Sequence, residues 1–271
     1  MESVGEGALF ALVGPRGAGY PQAVALRETD DFREWPLRPG DRGALLGGAI
    51  ELRGALGTVV VDLSAARRLR AATMPRIASL GKAFDACLVE LGAIQAVKGC
   101  ELRIGGLVGE GGSPGGVGAV LEAAAKALGL AAREAAARGE VRSAIEGAVS
   151  GLLGLGQGLT PSGDDFLCGF LGAARCAAPD LAEPLGAAVC AKLGSTTAIS
   201  ASLLRCAVRG LFHSSLEEFA AALAADDALS AASRLRACCD LGHSSGADLA
   251  AGFLYGLAVL ADGSERRSYA P

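Results

Sequence analysis

The chain has 271 residues, 51% of them hydrophobic, and a formal net charge of −4. That length allows one large domain or two small ones with ample core, and the mild acidity gives no basic footprint for nucleic acid. No apolar run reaches the ~18 to 20 residues that a membrane span requires; the longest late one, 249–261, is too short and contains Gly252 and Gly256. Forty glycines and only 4% aromatic residues point to closely packed small-residue helices. The start, Met1-Glu2-Ser3-Val4-Gly5-Glu6, lacks the basic residues of a signal peptide. Cys87, Cys100, Cys168, Cys176, Cys190, Cys206, Cys238 and Cys239 form no Cys-x-x-Cys pair. They read as buried small hydrophobes in a reducing cytoplasm. Only His213 and His243 offer imidazole, which argues against a zinc site.

Residues 1–63 read as strands and turns, a small antiparallel sheet or barrel. Candidate strands are 8–13, 23–26, 45–52 and 58–63, the last opening on the β-branched run Thr58-Val59-Val60-Val61. The polar connection around Trp35-Pro36 is expected to pack onto the sheet. From residue 64 onward the pattern becomes helical, so the class is α+β with a helical domain at 64–271. Helices are expected at 64–70, 75–97, 120–138, 141–153, 166–174, 181–192, 195–210, 216–223, 228–239 and 248–260. Residues 105–118, glycine-rich at 111–116, read as a flexible loop without the Gly-Lys-Ser/Thr ending of a P-loop. Residues 262–271 read as a frayed tail.

The chain is organised around Gly154-Leu-Gly156-Gln-Gly158-Leu-Thr160-Pro-Ser162-Gly163-Asp164-Asp165. Alternating glycines permit positive φ and close approach of backbone to a ligand. Thr160 and Ser162 are N-cap residue types, and Pro161 suits a first helical turn. A glycine loop that feeds a helix N-terminus suits phosphate or carboxylate. Asp164 and Asp165 would repel a bare anion, so they imply a Mg²⁺ ion, a base, or an acceptor for substrate N–H. The plainer alternative is a capping box that only starts a helix.

A second stretch repeats the layout 83 residues on: Ser245-Gly246-Ala-Asp248-Leu-Ala-Ala-Gly252-Phe-Leu beside Ser162-Gly163-Asp164-Asp165-Phe-Leu-Cys-Gly169-Phe-Leu. Gly169 and Gly252 read as close helix–helix contact points. The expectation is that the two Ser-Gly-x-Asp turns face each other across one site with approximate two-fold symmetry. Between them, Thr196, Thr197 and Ser200 place hydroxyls at helical spacing, either bonded to their own carbonyls or lining a polar cavity. His243 precedes Ser244-Ser245-Gly246 and is either an acid, base or oxyanion donor or a loop histidine.

These motifs, together with Thr197-Ala-Ile-Ser200-Ala-Ser-Leu-Leu and Gly242-His-Ser-Ser-Gly-Ala-Asp248, resemble a bacterial family that includes the AllH-like subunit of oxamate carbamoyltransferase. The resemblance covers roughly residues 150–260, and Gln157 stands where a proline is common in the family. It implies a place in allantoin and purine degradation, with phosphorolysis of oxalurate to oxamate and carbamoyl phosphate. It also implies partner subunits, one of them FdrA-like.

Carbamoyl transfer needs an anion site, donors for a developing oxyanion, and groups that hold a planar amide-carboxylate. Gly156, Gly158, Thr160, Ser162 and Gly163, with Thr197 and Ser200, are the candidates for phosphate. Ser244, Ser245, Gly246 and His243 are the candidates for the acyl oxygen or substrate carboxylate. Asp164, Asp165 and Asp248 are the candidates for carbamoyl N–H groups, with Asp164 and Asp165 alternatively binding Mg²⁺. No nucleophile–base pair is apparent, so transfer is expected to be direct. Two other readings stand beside this one: a non-catalytic anion-binding or assembly subunit, and a magnesium-dependent phosphate-transfer enzyme.

Overall fold

The computed structural model describes residues 11–14, 18–27, 29, 31–67, 72–109, 115–138 and 142–261. The chain is α+β and divides into two units, a β unit within residues 10–70 and a helical unit from residue 71 onward. No helix among the described residues is long and apolar enough to cross a membrane.

The β unit holds two small sheets. Strands β1 (Ala11–Val13) and β2 (Ala23–Ala25) pair in parallel, where an antiparallel arrangement was expected. Strands β3 (Arg42–Leu46), β4 (Ala49–Gly54) and β5 (Gly57–Asp62) form an antiparallel meander. The single strand expected over 45–52 is in fact a hairpin. Gly47 and Gly48 both take positive φ, 55° and 87°, which turns the chain between Leu46 and Ala49. Trp35 is half-buried and meets Phe32 edge-on, ring centroids 5.0 Å apart. Pro36 lies against Gly57 at the β4–β5 turn, so this connection does pack onto the meander.

In the helical unit α1 runs Lys82–Lys98, α2 Ile104–Val108, α3 Val117–Arg138, α4 Arg142–Leu152 and α5 Ser162–Ala177. Then follow α6 (Pro179–Cys190), a 3-10 turn (Leu193–Ser195), α7 (Ala198–Val208), α8 (Ser214–Ala224), α9 (Ala228–Cys239) and α10 (Ser245–Leu260). Two expectations fail here. Residues 75–81 are not helical, because tertiary partners hold the segment from 72 to 83. The N–H of Ala72 donates to Glu217, that of Ile77 to the Cys176 carbonyl and that of Ala83 to Asp226. Part of the expected loop over 105–118 is the short helix α2, because Leu102, Ile104, Leu107 and Val108 are buried. Residues 64–67 are not helical; 68–70, 110–114 and 262–271 lie outside the described residues.

Helices α5 and α10 form the centre of this unit. Both are 16 residues long and their starts are 83 residues apart. Every α5 residue except Arg175 is buried, so the helix is apolar on all sides beyond its first turn. The two cross in backbone contact. A Cβ on Gly169 would lie 2.0 Å from the Leu249 carbonyl oxygen, and one on Gly252 2.0 Å from that of Phe166. The contacts are reciprocal, glycine of each helix to carbonyl of the other. Phe166, Phe170 and Tyr255 fill the space beside the crossing, with centroids 6.0 to 6.5 Å apart. Seven cysteines are buried and Cys190 is exposed; all are free thiols.

Candidate functional site

The crossing of α5 and α10 sets their N-termini together, with the start of α7 beside the first. The loop before α5 turns through three glycines with positive φ: Gly154 at 78°, Gly156 at 120° and Gly158 at 91°. It is tied from three sides. Gly154 donates its N–H to Asp164 Oδ1 at 2.8 Å. Thr197 Oγ1 donates to the Leu159 carbonyl at 2.6 Å, and Thr160 Oγ1 shares a 2.7 Å hydrogen bond with Ser245 Oγ. Thr197 also caps α7 by accepting from the Ser200 N–H at 3.1 Å.

The capping expectations are corrected. Pro161, not Ser162 or Thr160, occupies the N-cap of α5, and no side chain caps that end. The Gly163 N–H donates to the Leu155 carbonyl at 2.8 Å and the Asp164 N–H to that of Pro161 at 2.9 Å. Gly163 therefore packs rather than presents a donor; a Cβ there would meet the Leu152 carbonyl. Gly246 behaves alike, donating to the Leu241 carbonyl at 2.9 Å and leaving no room for a Cβ against Cys238. Backbone donors at these two helix starts are largely in use, so the polar character of the site comes from side chains.

The aspartates divide into two roles. Asp164 is buried and fully engaged: Oδ1 takes the Gly154 N–H and Oδ2 the Thr196 hydroxyl. It anchors the glycine loop and the start of α7 to α5. Asp164→Ala is expected to cost about 1 to 3 kcal/mol in denaturant unfolding, since it leaves a half-buried N–H and hydroxyl unpaired. A change within 0.3 kcal/mol would remove the anchoring role.

Asp165 and Asp248 are the unsatisfied pair. Asp248 is 0% exposed, and neither of its carboxylate oxygens accepts a hydrogen bond of normal geometry; Asp165 is 8% exposed and its Oδ2 is likewise without a partner. Hydroxyls stand near both in a crossed arrangement, Ser245 and Thr160 by Asp165, Ser162 and Ser244 by Asp248. Each helix thus brings a serine toward the other helix's aspartate. Burial pushes the Asp165 carboxyl well above the usual range; Ser245 offsets part of this, and the charges of Asp248 and Asp164 add to it. Burial raises Asp248 to about 7, with Ser162 and Ser244 opposing and Glu101 adding. Among the described residues no cationic side chain offsets either carboxyl. A buried carboxyl pair with strongly shifted titration is a recognised mark of a functional site.

The remaining sequence candidates fall around this pair. Ser200 is 2% exposed and its Oγ has no partner. Gly156 is half-buried, while Gly158 is exposed with open space around it. Ser244 and Ser245 are half-buried. His243 is exposed, held through its carbonyl by Lys98 Nζ at 2.9 Å, and is not drawn into the buried group. Among the described residues no three metal-ligating side chains come together, and Asp164 is occupied by protein donors. Glu101 and Cys100, which stand near Asp248 from the segment after α1, are missed by sequence reasoning. No local pattern marks them, because only the folded packing sets them there.

No curated protein and no solved structure matches the chain. Residues 152–257, from the end of α4 into α10 and including both Ser-Gly-x-Asp turns, match the family model described as oxamate carbamoyltransferase subunit AllH, so this part of the chain is similar to that family.

Proposed function

We propose that this chain is a subunit of a carbamoyltransferase acting on oxamate-like or ureido acids, and that a small anionic substrate sits where α5 and α10 begin. One observation carries the reading. Three carboxylate oxygens of Asp165 and Asp248 are buried without partners between two hydroxyl-bearing turns. Orphaned polar atoms in a core cost stability, and three of them clustered beside hydroxyl groups are explained by a ligand that bonds to them. Ser162, Ser244, Ser245 and Thr160 are the hydroxyl donors, Asp165 and Asp248 the floor, and the Gly154–Gly158 loop the rim.

The reaction that fits is direct transfer. A phosphate oxygen attacks the carbamoyl carbon, the carbon–nitrogen bond breaks, and the departing amide nitrogen takes the proton that phosphate loses. Positioning and hydrogen bonding supply the catalysis, with no covalent enzyme intermediate. Trapping of a carbamoyl- or phospho-enzyme would refute this part.

The test is calorimetric titration of the full chain with phosphate, carbamoyl phosphate and oxamate, with and without Mg²⁺, beside Ser162→Ala and Asp248→Ala. Binding that both variants lose, with their fold intact, is the expected result. Turnover lost in Asp248→Ala while the assembled complex persists separates a catalytic subunit from an assembly subunit. Binding that requires Mg²⁺ would favour a phosphate-transfer enzyme instead.

A further inference from the structure

A puzzle in the sequence is why acidic residues line a place suited to anions. The packing around them sharpens it. The groups facing Asp165 are Asp164 on its own helix, Cys168 one turn on, and Asp248 across the crossing. Those facing Asp248 are Glu101 and Cys100 from the segment after α1. Lys98 is engaged with the His243 carbonyl, and its charge acts on Cys100 and Cys239 rather than on either carboxyl. So among the described residues the pair has no counter-cation, and three of its oxygens lack hydrogen-bond partners of normal geometry. Two bare carboxylates in such a core would be prohibitively costly.

We infer that Asp165 and Asp248 bind the anion as protonated acids, each carboxyl O–H donating to an oxygen of the ligand, so that protons are taken up from solvent together with it. This rests on the proposed placement of the substrate between the two turns. A neutral carboxylic acid held in an apolar setting is a strong donor to an oxyanion. The Ser162 and Ser244 hydroxyls near Asp248 can donate to the same ligand. Burial that holds Asp248 at about 7 keeps the protonated form available at neutral pH. The ligand class is a small oxyanion such as a carboxylate or phosphate. The opposite occupant, an N–H donor or a cation, needs ionised carboxylates and would expel protons.

Oxamate binding to the full chain, measured at pH 6 to 8.5 in phosphate-free buffers of different ionisation enthalpy, tests the inference. The expected result is buffer-dependent heat corresponding to uptake of about one proton per oxamate at pH 8, with affinity falling about tenfold per pH unit above the titration of the pair. Asp248→Asn keeps a donor that does not titrate. In this variant the proton uptake and the pH dependence of oxamate binding should largely disappear; Asp165→Asn serves if the first variant does not fold. Buffer-independent heat, or release of protons, overturns the inference and leaves the placement of the substrate standing. No oxamate or phosphate binding by the folded chain overturns both.

Discussion

Gly252→Ala is expected to destroy the native packing of the helical unit, with a loss of at least about 3 kcal/mol and in practice a chain that does not fold cooperatively. The added methyl would lie 2.0 Å from the Phe166 carbonyl oxygen and 2.9 Å from the Phe166 Cα. Both are backbone atoms in the middle of a fully buried helix, so no side chain can swing aside. The only relief is to move α10 off α5, and that opens the aromatic group of Phe166, Phe170 and Tyr255. Gly169→Ala should do the same from the other side, where the methyl would meet the Leu249 carbonyl. Gly147→Ala, in α4 with open space around it, is the matched control and should stay within about 1 kcal/mol of wild type or stabilise it, as alanine is the better helix former. Circular dichroism with urea unfolding reads all three. A cooperatively folding Gly252→Ala protein with near-normal stability would mean that the helices do not meet at these glycines.

The second large effect is on the pH dependence of stability. Asp248 has an ordinary value of 3.8 when exposed in the unfolded chain and about 7 when buried. Between those values the folded state holds a proton that the unfolded state has released. Stability therefore declines as pH rises from about 4, and the full loss, on the order of 4 kcal/mol, is reached above about 7. Asp165, raised for the same reason, contributes in the same direction. This is the reverse of the usual ion-paired carboxylate, which stabilises above its unfolded value. In the ligand-free protein the melting temperature should fall between pH 5 and pH 8, and the fall should be clearly shallower in Asp248→Asn, whose side chain cannot ionise. Equal slopes in the two proteins would show that Asp248 does not stay protonated in the folded state.

Both effects come from features that were partly visible in the one-dimensional chain. The recurrence of Ser-Gly-x-Asp with a glycine four residues after the aspartate is a pattern of residue types. It could be read without coordinates because helical spacing puts that serine, aspartate and glycine along one helix in a fixed geometry. The α+β class and most of the later helices were legible too, since apolar periodicity and alanine-rich runs are local signals. Gly47-Gly48 was an available hairpin signal that the apolar run from Leu45 to Leu52 concealed.

What the chain by itself determined was therefore the list of chemical groups and the helices that carry them. Only the tertiary structure decided which aspartate does what. Asp164 and Asp165 are neighbours in sequence and equivalent by residue type, yet a 100° step around the helix points one at Gly154 and Thr196 and leaves the other short of partners beside α10. Their protonation is also a tertiary property. It depends on the burial that the α5–α10 crossing produces, and on Glu101 from a distant segment. The same holds for residues 75–81: the Ile77 N–H finds its acceptor on Cys176 and the flanking N–H groups of Ala72 and Ala83 find theirs on Glu217 and Asp226, so the segment does not form the helix that its own sequence would have allowed.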